Sequence, residues 1–278
     1  MLSTSDHSRD SAGMTYVYPV VSRRAGGVSV GINLNVNNAC NWACAYCQVE
    51  NLVRGGPPPV DVKRLAVELE SFLASVLEGD FMARCVPADF RRLVDVAFSG
   101  NGEPTSASGF PDIVRQVRAI LTSRQLLPAL RIRLITNGSF LHRPAVQEGI
   151  REIGDAGGEV WFKVDRVGEA ASRVVNGIPL EPAAMLRRLK TCVALAPTWV
   201  QTCWFALDGE APSQTEADAY CDFLAAVGGG ITGVHLYGLA RPSLQPEAGR
   251  LGRLESGRLE AFAQHIESKT GIRVLVSP

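Results

Sequence analysis

Cys40, Cys44 and Cys47 fall together in "CNWACAYC", residues 40–47, while Cys85, Cys192, Cys203 and Cys221 lie scattered. Thiolates are soft ligands, and a C-x3-C-x2-C spacing lets one short loop present three of them to zinc or to an iron–sulfur cluster. A structural zinc ion asks for four protein ligands. No fourth Cys or His stands nearby, so the fold would have to bring in His142 or a remote cysteine. A 4Fe-4S cluster on three cysteines instead leaves one iron without a protein ligand, where a small chelating molecule can bind.

The elements that must hold this loop follow from periodicity. "VSVGINLNV" (28–36) alternates apolar and small or polar residues, a strand pattern ending just before the cysteines. "LVDVAFS" (93–99), "RIRLIT" (131–136), "EVWFKVD" (159–165), "WVQTCWFAL" (199–207) and "GVHLYGL" (233–239) give five more strands, and "IRVLV" closes the chain. Between them lie helical patterns. Asp61 caps a helix with Leu65, Leu69, Phe72, Leu73 and Val76 on one face; others are entered near Pro111 and span roughly 144–154, 181–194, 214–227 and 256–269. Ser213 and Glu216 form a capping box. Six strand–helix alternations predict an α/β fold with parallel strands, wound open or curled as a partial (βα)6 TIM-like barrel, in which chemistry gathers at the carboxyl ends of the strands. With no linker or repeat, residues 15–278 are expected to form a single domain, after a disordered lead-in over 1–14. Residues 79–92 show no clear periodicity.

The chain has 278 residues, is 46% hydrophobic and 20% charged, and carries 28 basic against 28 acidic residues. That balance gives no electrostatic argument for a nucleic-acid partner. The absence of a long apolar run argues against a membrane span, and the polar start against a signal peptide. An odd cysteine count without export signals points to a reducing cytoplasm, where clustered cysteines more often bind metal than pair.

With an aromatic, Tyr46, just before its last cysteine and a six-fold βα repeat behind it, this loop resembles that of the radical SAM superfamily. The resemblance implies a 4Fe-4S cluster on Cys40, Cys44 and Cys47, with S-adenosylmethionine chelating the open iron. One electron then splits it to methionine and a 5′-deoxyadenosyl radical that abstracts hydrogen from a substrate. "SGNGEPT" (99–105) after the second strand is similar to the loop, often written GGE, that meets the amino group of S-adenosylmethionine. Gly100, Asn101, Gly102 and Glu103 are the matching residues, Asn101 departing from the plain form. The fuller string resembles the branch of iron–sulfur oxidoreductases that includes wyosine-base synthases, but no cysteines precede Cys40 to hold their second cluster.

Further strand ends add candidates. The resemblance places Thr136 and Asn137 of "LITNGSF" near the ribose or methionine part of the cofactor; on turn statistics alone Asn-Gly is an ordinary turn. Lys163 and Asp165, two apart and so on one face, line the cofactor or substrate pocket on the same resemblance, or are solvated strand-end charges. Tyr237, beside the expected adenine site, shares a face with His235, a packed strand residue on the simpler reading. Arg241 meets a carboxylate or sits on the surface. The implied partners are an unidentified substrate (a small metabolite, a peptide or a tRNA base) and a reductant such as flavodoxin or ferredoxin. The competing reading is a non-catalytic zinc or iron–sulfur barrel acting through a protein partner.

Overall fold

A computed structural model describes residues 13–22 and 26–277, so most of the expected lead-in lies outside the described residues. Its strands are β1 (Val17–Ser22), β2 (Gly27–Ile32), β3 (Ala39–Cys40), β4 (Val53–Arg54), β5 (Leu93–Phe98), β6 (Arg131–Thr136), β7 (Glu159–Lys163), β8 (Thr198–Cys203), β9 (Ala206–Leu207), β10 (Ile231–Tyr237), β11 (Leu251–Gly252) and β12 (Val274–Ser277). The helices are α1 (Val62–Leu77), α2 (Phe81–Cys85), α3 (Phe110–Ser123), α4 (Pro144–Asp155), α5 (Glu169–Asn176), α6 (Pro182–Leu195), α7 (Gln214–Ala225) and α8 (Ser256–Thr270). Eight strands form one curled sheet in the order β1-β2-β5-β6-β7-β8-β10-β12, a half-barrel. Every neighbouring pair is parallel except β1 with β2.

Strand alternation sorts the two faces. Val30, Ile32, Val96, Phe98, Ile132, Leu134, Val160, Phe162, Val200 and Leu236 are fully buried and join Leu65, Leu69, Ile113, Val117, Ile150 and Leu189 of the helices in one core. Each such side chain contributes about 1.5–3 kcal/mol by leaving water. The intervening residues, among them Asp95, Arg133, Trp161 and Gln201, turn to the concave face and line a cavity. Capping carries through as expected: Asp61 accepts from Arg64 N at 3.0 Å, and Ser213 and Glu216 close a capping box.

Three differences from the sequence pattern have local causes. The first predicted strand stops at Ile32 because the Asn33 side chain takes over, its Oδ1 accepting from Asn35 N (3.1 Å) and Asn101 N (3.0 Å); asparagine side chains compete with the ladder in this way. The "WVQTCWFAL" run breaks after Cys203, and β9 pairs antiparallel with β11 instead. An edge strand, β1, precedes the predicted set, tolerating Pro19 because an edge leaves one row of amides unpaired. It is anchored by Glu68, which accepts from Thr15 N, Tyr16 N and Val17 N. Residues 79–92 acquire a packing role: Phe81 meets Phe72 edge-on at 5.0 Å, and Val86 covers Val21 and Val28. Among the described residues no helix is long and apolar enough to cross a membrane.

Candidate functional site

The loop after β2 crosses the carboxyl end of the sheet and turns Cys40, Cys44 and Cys47 toward a cavity of about 600 Å³. The chain itself holds this loop from several sides. Cys40 lies in β3, paired with β4. From α5, the Val175 and Asn176 carbonyls accept Ala45 N (2.8 Å) and Ala43 N (3.0 Å). Gly177, which ends α5 at φ +70°, sits so close that a Cβ would lie 2.7 Å from the Ala43 carbonyl oxygen. After β10, Ser243 Oγ donates to Ala45 O at 2.6 Å and Gln245 Nε2 to Val49 O at 2.8 Å. Trp42 Nε1 donates to Ser139 Oγ at 3.0 Å, and Asn137 Nδ2 to Asn41 Oδ1 at 2.9 Å.

Two buried carboxylates organise the surroundings without a cationic partner at hydrogen-bond distance. Glu103 accepts from Thr105 Oγ1 (2.5 Å), Thr136 Oγ1 (2.5 Å) and Asn137 N (2.6 Å). Burial pushes its carboxyl up, and these bonds offset that only in part. Asp165 accepts from Tyr46 OH (2.6 Å), Asn176 Nδ2 (2.7 Å) and Cys203 N (2.9 Å). The 100–103 loop packs on Asn33 and Asn35; a Cβ at Gly102 would strike the Ala39 carbonyl, and Asn101 Nδ2 donates to Asn38 Oδ1 at 2.6 Å.

The cavity collects Cys40, Cys44, Cys47, Tyr46, Gly100, Asn101, Gly102, Glu103, Asn137, Lys163 and Tyr237 from the sequence-derived set. Thr136 and Asp165 stand behind it: Thr136 is spent on Glu103, and Asp165 faces Tyr46 and Asn176 rather than the cavity. Arg241 reaches the rim and donates to Gln48 Oε1 at 3.3 Å. His235 is stacked, its ring 4.4 Å from those of Trp161 and Trp199. His142 is exposed, its Nδ1 3.2 Å from Ser139 O.

Lys163 brings a charged group to Cys44. Its Nζ lies 3.8 Å from Cys44 Sγ and 4.9 Å from the centre of the Tyr46 ring. Burial alone would lower its pKa, but the Cys44 sulfur and the Asp165 carboxylate outweigh it and hold the ammonium well above its ordinary value. Asn176 Nδ2 adds a contact to the same sulfur at 3.5 Å. Burial pushes the Cys40 thiol up to about 12. Among the described residues no three His, Cys, Asp or Glu side chains are gathered to hold a single metal ion. A multi-iron cluster takes each thiolate on a different iron, so its ligands stand further apart than those of one ion, and three cavity-facing thiols fit that donor set.

Residues that local reading passed over include Asp95, Arg133 and Gln201 of the cavity wall, and α5 as a whole, while Cys203, a scattered strand cysteine in the sequence, also lines that wall. The available signal was a polar residue inside an otherwise apolar buried strand; α5, eight residues between two glycines, had none comparable.

Three cysteines opening on the carboxyl end of a parallel half-barrel define a class of fold, and comparison with known proteins agrees. No family model matches the chain. A "UPF0026 protein" of Helicobacter pylori (strain J99) is 27% identical over 135 residues, 48% of this chain and 38% of that protein. The chain therefore matches well under half of that relative's length. Among solved structures, TYW1 with a lysine–pyruvate adduct bound is similar with a TM-score of 0.60 at 12% identity, covering 88% of this chain and 74% of that one. His-tagged anSMEcpe with bound AdoMet gives 0.55 at 14% identity, covering 88% and 63%. These neighbours are radical SAM enzymes, and the half-barrel of this chain is their fold.

Proposed function

We propose that this chain is a radical SAM enzyme, binding a 4Fe-4S cluster through Cys40, Cys44 and Cys47 and S-adenosylmethionine (AdoMet) beside it. The observation that carries the reading is the placement of all three thiols on one cavity at the carboxyl end of a half-barrel shared with radical SAM enzymes. A neighbour of that fold has been solved with AdoMet bound. When bound, the cluster supplies the electron that splits AdoMet and so begins hydrogen abstraction from substrate.

This chain's own residues bind, orient and exclude water. Lys163 places a positive charge beside the Cys44 sulfur, which favours thiolate over thiol. Gly100, Asn101, Gly102 and Asn137 bring backbone and amide groups to the adjoining wall, where an amino acid moiety is expected to lie. Glu103 on the cavity wall and Asp165 behind it hold Thr136, Asn137, Tyr46 and Asn176 in place. On this reading residues 15–278 are one catalytic domain working in the cytoplasm with an electron donor such as flavodoxin or ferredoxin.

The test is anaerobic reconstitution with iron and sulfide, followed by AdoMet and dithionite. The expected result is about four irons per chain and 5′-deoxyadenosine formation, both lost in Cys44→Ala. Zinc at one equivalent with no iron uptake would instead identify a zinc barrel.

A further inference from the structure

We propose that Lys163 and Asn176, which meet at the Cys44 sulfur, raise the reduction potential of the cluster on the three cysteines, acting through that sulfur as positioning residues. The inference rests on the cluster reading above and extends it to how this chain tunes the electron that the reading requires.

Two donors from different elements converge on one atom. Lys163 is the last residue of β7, half-buried on the cavity wall, and its Nζ lies 3.8 Å from Cys44 Sγ. Asn176 ends α5, is fully buried, and brings Nδ2 to 3.5 Å from the same sulfur. Cys40 Sγ, by contrast, takes a backbone N–H, that of Trp42 at 3.4 Å. A second contact holds each side chain at Cys44. Asp165 Oδ2 accepts the Asn176 amide at 2.7 Å and Tyr46 OH at 2.6 Å. The Tyr46 ring so fixed lies against the ammonium, its centre 4.9 Å from Nζ.

Charge sets what the pair does. Lys163 makes no ion pair among the described residues; its contacts are the Cys44 sulfur and the Tyr46 ring. A half-buried ammonium gains little beside a neutral thiol and much beside an anion. Thiolates holding an iron–sulfur cluster supply that anion, and reduction adds one more negative charge. A cation and an N–H donor at a ligand sulfur therefore stabilise the reduced form more than the oxidised one, and both raise the potential. The step concerned is one electron passing from a reductant to the cluster, with no bond formed or broken.

Burial separates this role from ligand binding. Asn176 is fully enclosed and absent from the cavity wall, so it acts on the cluster only through Cys44. Lys163 does line the cavity, and a bond to the carboxylate of AdoMet is the competing assignment of its ammonium. The order of binding tells the two apart. A contact to Cys44 moves the potential before AdoMet arrives, and a contact to AdoMet does not.

The reconstituted full chain, without AdoMet, is titrated with dithionite and redox mediators while electron paramagnetic resonance follows the reduced cluster. Lys163→Met is expected to lower the midpoint by at least a tenfold change in the reduction equilibrium, about 59 mV for one electron. Asn176→Leu should lower it by a smaller step, and Lys163→Arg, which keeps the charge, should stay closer to the parent than Lys163→Met. Lys163→Gln, which keeps an N–H donor without the charge, serves if the Met variant takes up no iron. Lys190→Met, exposed on α6, should leave the midpoint where it was. A midpoint unmoved in the iron-loaded Lys163 or Asn176 variant, a shift seen only with AdoMet present, or an equal shift in Lys190→Met would overturn the proposal. AdoMet cleavage is measured separately on the unaltered chain. If the cluster forms and its midpoint follows Lys163 while AdoMet stays intact, the radical SAM reading falls and the tuning stands; an unaltered chain that takes up no iron overturns both.

Discussion

The mouth and the floor of the half-barrel are built by opposite rules. On the floor, buried charges cancel: Arg133 lies between Asp95 and Glu159, with Arg131 and Ser29 completing the ladder. At the mouth, Glu103 and Asp165 are satisfied by hydroxyls, amides and backbone N–H groups, while Lys163 faces a sulfur. A floor whose charges are mutually matched asks for nothing charged from outside. A mouth whose carboxylates are satisfied by dipoles leaves Lys163 beside the Cys44 sulfur. The difference separates residues that hold the barrel from residues that hold the cysteine loop.

The floor is the place for the largest stability effect. Arg133→Ala leaves Asp95 and Glu159 buried without their shared cation and is expected to cost about 3–5 kcal/mol in urea unfolding. Combining Arg133→Met with Asp95→Asn and Glu159→Gln should recover most of it; a single mutant within 1 kcal/mol of the parent, on the scale of an exposed ion pair, would show that the ladder is not closed.

At the mouth, Asp165→Ala strips the acceptor from Tyr46, Asn176 and Cys203 N, and about 2–3 kcal/mol is expected from hydrogen bonds to a charged group. Because those partners carry the cysteine loop, protease cutting between Cys40 and Gly55 should rise in the same variant. An unchanged digestion pattern would detach Asp165 from the loop.

Glu68, away from both regions, serves as a reference with a defined pH dependence. Burial raises its carboxyl, but the Thr15 and Tyr16 amides, Arg64 and the Val17 amide together hold it below the ordinary glutamate value. Its contribution is therefore complete above that ordinary value and fades as pH falls through the lower folded one. Glu68→Gln should cost about 1–2 kcal/mol at pH 7. The gap to wild type should close on acidification; a gap that widens would reverse the assigned sign.

The smallest effect concerns the strap after β10. Ser243→Ala removes the bond to Ala45 O and should cost about 1 kcal/mol, seen as faster amide exchange confined to residues near 44–49. Exchange unchanged in that stretch would mean that the strap does not order the loop.

Local chemistry made much of this architecture readable. Alternation at Val96, Phe98, Ile132 and Leu134 marks buried strands because the period of two is a backbone property, and the caps at Asp61 and Ser213 act within three residues. The cysteine spacing likewise carries its meaning inside eight positions, 40–47. The run 33–36 looked like strand until Asn33 turned its side chain on the backbone, and α5 was too short to announce itself.

By itself, then, the sequence determined the inventory: which strands are buried, which loop holds the thiols and at which end of the sheet it must emerge. Tertiary structure alone decided which polar groups meet. Glu103 with Asn137, Tyr46 with Asp165, Ser243 with Ala45, and Arg133 with both Asp95 and Glu159 join residues tens to more than a hundred positions apart. Such pairings follow from the register of neighbouring parallel strands and the return path of each crossover, which no local window contains. The same register left the Gln201 oxygen enclosed and without a partner from the described residues.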